Sequence, residues 1–116
     1  MKKDKVCIIG LGYIGLPTAA TLASNDFEVY GYDVNKDIVE TINSGKIHIV
    51  EPDLEKYVSD AVKHKKLSAY NEIQSADVFI ICVPTPFEIR NSNPEPNIDF
   101  ILDATDKISD VIKPGN

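Results

Sequence analysis

The chain has 116 residues, 43% hydrophobic and 26% charged, which is material for one globular domain with a real core and no second one. Its net charge of −6 argues against a nucleic-acid or anionic-membrane partner, which would want a basic surface, but leaves room for a local phosphate site built from backbone amides. No apolar run nears the ~20 residues of a membrane span. The start Met1-Lys2-Lys3-Asp4-Lys5 leads straight into a short strand, without the long apolar stretch of a signal peptide, so a cytoplasmic location is expected.

Val6-Cys7-Ile8-Ile9 is a continuous apolar run closed by glycine, as a strand buried on both faces should be. From Tyr13 to about Ser24, Leu16, Ala19, Ala20 and Ala23 recur at helical spacing. Val29-Tyr30-Gly31-Tyr32 reads as a second strand ending at Asp33. Asn35 is placed to cap a helix from Lys36 to Ser44 with Ile38, Val39 and Ile42 on one face, and Gly45 to stop it. A third helix is expected to start at Pro52, with Leu54, Val58, Ala61 and Val62 as its apolar face. Asp53 and Glu55 near its start, and Lys63, Lys65 and Lys66 near its end, suit the helix dipole. Glu51-Pro52 is explained by that helix start without a catalytic role.

Leu67 to Tyr70 is a short third strand, and Val78-Phe79-Ile80-Ile81-Cys82-Val83, the most apolar run, reads as a central strand over Asp77 to Val83. Pro84 to Pro96 holds four prolines and little apolar content, which reads as a loop. A last helix is expected from about Asn97 to Ile112, with Ile98, Ile101, Leu102, Thr105 and Ile108 buried. Lys113-Pro114-Gly115-Asn116 is a helix stop and a turn, where a next strand should follow. Cys7 and Cys82 each lie inside an apolar run and read as core thiols of a reducing compartment. His48 and His64 lack metal-ligand spacing to each other or to the cysteines and read as surface residues; no metal site is expected.

The chemistry lies in Gly10-Leu11-Gly12-Tyr13-Ile14-Gly15, a G-x-G-x-x-G pattern with a strand before it and a helix after it. Gly10 permits the tight turn, Gly12 lets a pyrophosphate approach the backbone, and Gly15 lets the helix pack close to the strand. Amides near Tyr13 and Ile14 would face that pyrophosphate at the positive end of the helix dipole. Asp33 lies 18 positions after Gly15, at the end of the second strand. A carboxylate there accepts both hydroxyls of the adenosine ribose and repels a 2′-phosphate, so NAD is expected over NADP. Lys36 is near enough in sequence to soften that repulsion.

These elements alternate as β and α, which gives the fold class: α/β, a Rossmann-like doubly wound parallel sheet with strand order 3-2-1-4, ending before a fifth strand. Strands one and four flank the reversal of strand order, so Thr85, in Val83-Pro84-Thr85-Pro86, is expected over the same crevice as the glycine loop. The run Val78 to Val83 would then present an unpaired edge.

Gly10-Leu11-Gly12-Tyr13-Ile14-Gly15-Leu16-Pro17-Thr18-Ala19 is similar to the opening of the UDP-glucose/GDP-mannose dehydrogenases. Ser44-Gly45-Lys46-Ile47-His48-Ile49-Val50-Glu51-Pro52-Asp53-Leu54 and Val83-Pro84-Thr85-Pro86-Phe87 resemble its UDP-N-acetyl-D-mannosamine dehydrogenase branch. The resemblance runs from Lys5 to Gly115. It implies an enzyme that oxidises the C6 alcohol of a UDP-sugar to the carboxylate with two NAD⁺ and one water, through a cysteine thiohemiacetal. The same-class alternatives are UDP-glucose or UDP-N-acetylglucosamine 6-dehydrogenase; a non-catalytic NAD(H)-sensing domain is the other.

The family's cofactor residues carry over to Gly10, Gly12, Tyr13, Ile14, Asp33 and Thr85, with Thr85 near the nicotinamide; Gly15 of the glycine motif completes the expected cofactor-binding set. Its catalytic glutamate, lysine and cysteine have no counterpart within residues 1–116, since Cys7 and Cys82 fall inside strands. The resemblance thus implies a partial NAD-binding domain over residues 1–116, with the central helical and sugar-binding domains outside it, and no turnover by these residues alone. A homo-oligomeric, cytoplasmic protein of polysaccharide biosynthesis is expected.

Overall fold

The computed structural model describes residues 4–116; residues 1–3, and with them the first part of the charged start, lie outside the described residues. Four short apolar runs pair in parallel: β1 (Lys5–Ile9), β2 (Glu28–Tyr32), β3 (Leu67–Tyr70) and β4 (Val78–Ile81). Their order is β3-β2-β1-β4, as expected. Ile9 pairs with Tyr32 on one side and Ile81 on the other, so β1, β2 and β4 end level with one another. Gly10, Asp33 and Cys82 therefore leave the sheet at one edge.

Alternation along β1 explains its unbroken apolar sequence, since a strand points successive side chains to opposite faces. Val6 and Ile8 face a core with Leu16, Ala19 and Ala20 of α1 (Gly15–Ser24), Ile42 of α2 (Lys36–Asn43) and Val58 of α3 (Leu54–Lys63). Cys7 and Ile9 face a second core, with Tyr32 and with Ala104 and Ile108 of α4 (Asp99–Ser109). The sheet is thus wound from both faces, and the chain changes face as it crosses from β3 to β4.

The caps explain where the helices begin. Asn35 Oδ1 accepts from the amides of Asp37 (2.9 Å) and Ile38 (3.2 Å), and Gly45 closes α2 at φ +81°. α3 starts at Leu54 and not at Pro52, because Asp53 adopts the left-handed region (φ 63°) and breaks the helix just behind Pro52. α1 starts at Gly15, leaving Tyr13 and Ile14 in the preceding turn. Pro17 then falls in the first helical turn; the amides on either side, of Leu16 and Thr18, bond back to Gly12 O and Ile14 O, so the proline removes the one bond that Tyr13 O would have accepted. His48 is half-buried, not on the surface, and its Nδ1 is buried without a hydrogen-bond partner among the described residues; His64 is exposed, as expected.

The proline-rich segment is not a plain loop. β5 (Phe87–Arg90) and β6 (Asn93–Pro96) form an antiparallel hairpin around Asn91 and Ser92, both at positive φ (50° and 65°), the conformation a two-residue hairpin turn requires. Asn97 N donates to Pro86 O at 2.7 Å, so bonded pairs alternate back from there to the turn. Pro94 and Pro96 fall at the pairs between, where no amide is needed. Glu88 and Glu95 stand opposite each other, and Arg90 offsets their repulsion at 2.7 Å and 3.9 Å. Phe87 and Ile89 share the other face and are 80% and 74% exposed.

α4 is also turned from its expected face. Ala104 and Ile108 are buried, Ile101 and Val111 half-buried, and Ile98, Leu102 and Thr105 exposed. The small Ala104 lets the helix sit close to the sheet and rotates the face away from Leu102. β4 is shorter than the expected Asp77 to Val83, and among the described residues it pairs with β1 alone, which leaves this run with the unpaired edge expected of it.

Both cysteines are free. Cys7 is fully buried in β1, and burial pushes its thiol up to about 11. Cys82 is half-buried, with its thiol also raised by burial. Since the thiolate is the reactive form, a soluble alkylating reagent at pH 8 should label Cys82 at least ~10-fold faster than Cys7. Peptide mass spectrometry over time reads the two rates, and equal rates would contradict the burial of β1.

Candidate functional site

At the level ends of β1, β2 and β4 lies a cleft of about 710 Å³. Gly10, Gly12, Tyr13, Ile14, Asp33 and Thr85 all line it, so the structure brings six of the seven expected residues together. Gly15 stands behind the wall, and its place there is structural: a Cβ on it would lie 1.6 Å from Gly10 O. Gly10 turns the chain at φ +101°, where a Cβ would come within 2.7 Å of Cys82 O.

Gly12 differs from both. Nothing among the described residues lies within 4 Å of the position a Cβ would take, because that position opens into the cleft. The amides of Gly12, Tyr13 and Ile14 have no hydrogen-bond partner among the described residues. Neither does α1 have a side-chain cap, nor an acidic residue in its first turn. An uncapped helix start with free donors and no competing carboxylate is a place an anion satisfies. The open ground before Gly12 fits a pyrophosphate.

Asp33 is half-buried at the end of β2, and its carboxylate already ties the site together. Oδ2 accepts from Leu11 N at 3.1 Å and Oδ1 from Asn35 N at 2.9 Å. Each oxygen keeps a further lone pair for a ligand hydroxyl. Lys36, which was expected to soften its charge, points along α2 to Glu40 at 3.9 Å. Thr85 is exposed beyond β4 on the opposite rim.

The sequence reading missed the walls between these points. Val34 and Ile38 line one side, and Phe100, Asp103 and Ala104 of α4 the other, with Tyr32 at the base. Val34 and Ile38 were legible as apolar residues just after Asp33; the α4 residues were not, since they reach the cleft only because α4 packs on the second face. Among the described residues no three or more His, Cys, Asp or Glu side chains converge as metal ligands would.

Residues 4–116 match the UDP-glucose/GDP-mannose dehydrogenase family, NAD binding domain. A UDP-N-acetyl-D-mannosamine dehydrogenase of Campylobacter jejuni is 53% identical over 97% of this chain and 27% of its own length. An NDP-N-acetyl-D-galactosaminuronic acid dehydrogenase of Ralstonia nicotianae is 49% identical over 96% of this chain and 26% of its own. Among solved structures, a UDP-N-acetyl-mannosamine dehydrogenase of Staphylococcus aureus superposes with TM-score 0.92 at 35% identity, over 97% of this chain and 27% of that one. A GDP-mannose dehydrogenase of Pseudomonas aeruginosa gives 0.84 at 32%, over 94% and 25%. The chain thus spans about a quarter of the length of the relatives it matches.

Proposed function

The chain belongs to the UDP-glucose/GDP-mannose dehydrogenase family as its NAD-binding domain, and on that premise we propose that it holds NAD for an oxidation of the C6 alcohol of UDP-N-acetyl-D-mannosamine to the uronic acid. The observation that carries the cofactor half is the open ground in front of Gly12, beside an uncapped helix start and level with Asp33. Bound NAD⁺ supplies the hydride acceptor, used twice per sugar. Gly10 and Gly15 hold the turn, and the Gly12, Tyr13 and Ile14 amides receive the pyrophosphate. Asp33 accepts the adenosine ribose hydroxyls, and Thr85 borders the nicotinamide end.

The relatives support an N-acetylated sugar: those at 53% and 50% identity are UDP-N-acetyl-D-mannosamine dehydrogenases, and the one at 49% is also named for an N-acetyl sugar. We assign the acid–base and nucleophilic groups, with the helical and sugar-binding domains, to parts of the protein other than residues 1–116. Cys7 is sealed in β1, and burial of Cys82 works against the thiolate that a nucleophile needs. Two free thiols accord with a cytoplasmic protein, and among the described residues no helix is long and apolar enough to cross a membrane. A homo-oligomer acting in polysaccharide biosynthesis completes the reading.

Calorimetric titration tests the cofactor, and NADH absorbance with the full-length protein tests the reaction. Expected are tighter binding of NAD⁺ than of NADP⁺, and two NADH formed per UDP-N-acetyl-D-mannosamine consumed. Equal affinity for the two cofactors would defeat the role of Asp33, and turnover of UDP-glucose alone would defeat the choice of sugar.

A further inference from the structure

Tyr32 joins three parts of the cleft. Its carbonyl accepts from Gly10 N at 2.8 Å, and the next residue is Asp33. Its hydroxyl, on a side chain only 5% exposed, accepts from Lys107 Nζ at 2.8 Å. The same ammonium pairs with Asp103, one turn earlier on α4, at 3.0 Å, and lies 5.4 Å from the centre of the Tyr32 ring. Lys107 itself does not line the cleft, whereas Tyr32 and Asp103 both do.

The rest of the α4 contact is apolar, through Ala104 and Ile108. Apolar packing is non-directional and holds a helix against a sheet without fixing how it slides or rolls. A charge-assisted hydrogen bond between two specific atoms does fix that. Among the described residues, the one hydrogen bond that ties the wall carrying Phe100 and Asp103 to the strand leading into Asp33 and Val34 is that of Lys107.

We infer that Lys107 is a positioning residue for the dinucleotide: by holding Tyr32 Oη and the Asp103 carboxylate together, it sets the width of the cleft on its Asp33 side and so the affinity for the adenosine half of the cofactor. This rests on the reading of the cleft as the NAD site. Loss of the tie widens that half and lowers affinity without removing any group that touches the ligand.

The test uses the full-length protein with Lys107→Met, Tyr32→Phe, the double variant and Lys107→Arg, each titrated with NAD⁺ and with ADP-ribose. Lys107→Met and Tyr32→Phe delete polar atoms while keeping the packed stems. Each should raise the Kd for both ligands about tenfold, and the double variant should be no worse than the weaker single one, because both break one interaction. Lys107→Arg, which keeps a cation and its donors, should recover most of the loss. An unchanged Kd for ADP-ribose in Lys107→Met overturns the inference and leaves the NAD site standing. Additive losses in the double variant, or an equal loss of affinity for the sugar nucleotide, overturn it as a general loosening of the fold. Failure of the unmutated protein to bind either ligand overturns the cleft reading itself.

Discussion

Gly12→Ala should leave the fold intact and weaken cofactor binding, whereas Gly15→Ala should damage both. The two glycines are three residues apart in one motif, yet a methyl group meets opposite surroundings at each. At Gly15 it would stand 1.6 Å from Gly10 O and 3.2 Å from the Cys82 Cβ. The first neighbour is backbone, which no rotamer change moves, so α1 must back away from β1. That places the cost at or above the upper end of overpacking, ~3 kcal/mol, with NAD⁺ affinity down at least ~100-fold as the amides lose their alignment.

At Gly12 the methyl meets nothing within 4 Å, and its φ lies outside the left-handed region, so stability should stay within about 0.5 kcal/mol. The methyl does occupy the ground where a pyrophosphate must come close, which should cost roughly 10- to 100-fold in NAD⁺ affinity. Thermal unfolding and calorimetric titration separate the two effects. A Gly12→Ala protein that binds NAD⁺ as tightly as the unmutated one would show that the pyrophosphate does not pass there.

The same contrast shows what kind of information the sequence holds. Glycine spacing, the apolar run of β1 and the acid after β2 report on local backbone demands and on burial, and those are written residue by residue. The sheet order followed from them, because β-α-β connections leave few ways to arrange parallel strands. The hairpin was hidden by its prolines. The alternation of Phe87 and Ile89 with Glu88 and Arg90 is a strand signal, but four prolines outweigh it until the pairing register shows that two of them occupy positions needing no amide. The α4 face was misjudged because helical periodicity weights Leu102 above Ala104, while close packing on a sheet favours the small residue. The tie from Lys107 to Tyr32 spans 75 positions and depends on that rotation, so nothing local could announce it.

Asp33→Ala should weaken NAD⁺ binding by about 1.5–3 kcal/mol, the range for a lost charge-assisted hydrogen bond, or roughly 10- to 150-fold. The structure complicates this substitution in a useful way. The carboxylate also receives the Leu11 and Asn35 amides, so its removal loosens the glycine loop as well as the ribose contact. Loosening acts on the pyrophosphate, which NAD⁺ and NADP⁺ share, and must weaken both alike. Loss of the bond to the 2′-hydroxyl weakens NAD⁺ only, since NADP⁺ carries its phosphate there, and loss of the negative charge relieves NADP⁺ of repulsion at its 2′-phosphate. The ratio of the two affinities therefore isolates the direct role of Asp33, and it should fall at least ~10-fold in the variant. Added salt gives a second handle, because repulsion between charges near solvent is screened within about a Debye length. In the unmutated protein the preference for NAD⁺ should narrow as salt is raised, and in Asp33→Ala it should not. If both cofactors lose affinity by the same factor, and salt acts equally on the two proteins, Asp33 only braces the loop and the choice of NAD over NADP lies elsewhere in the cleft.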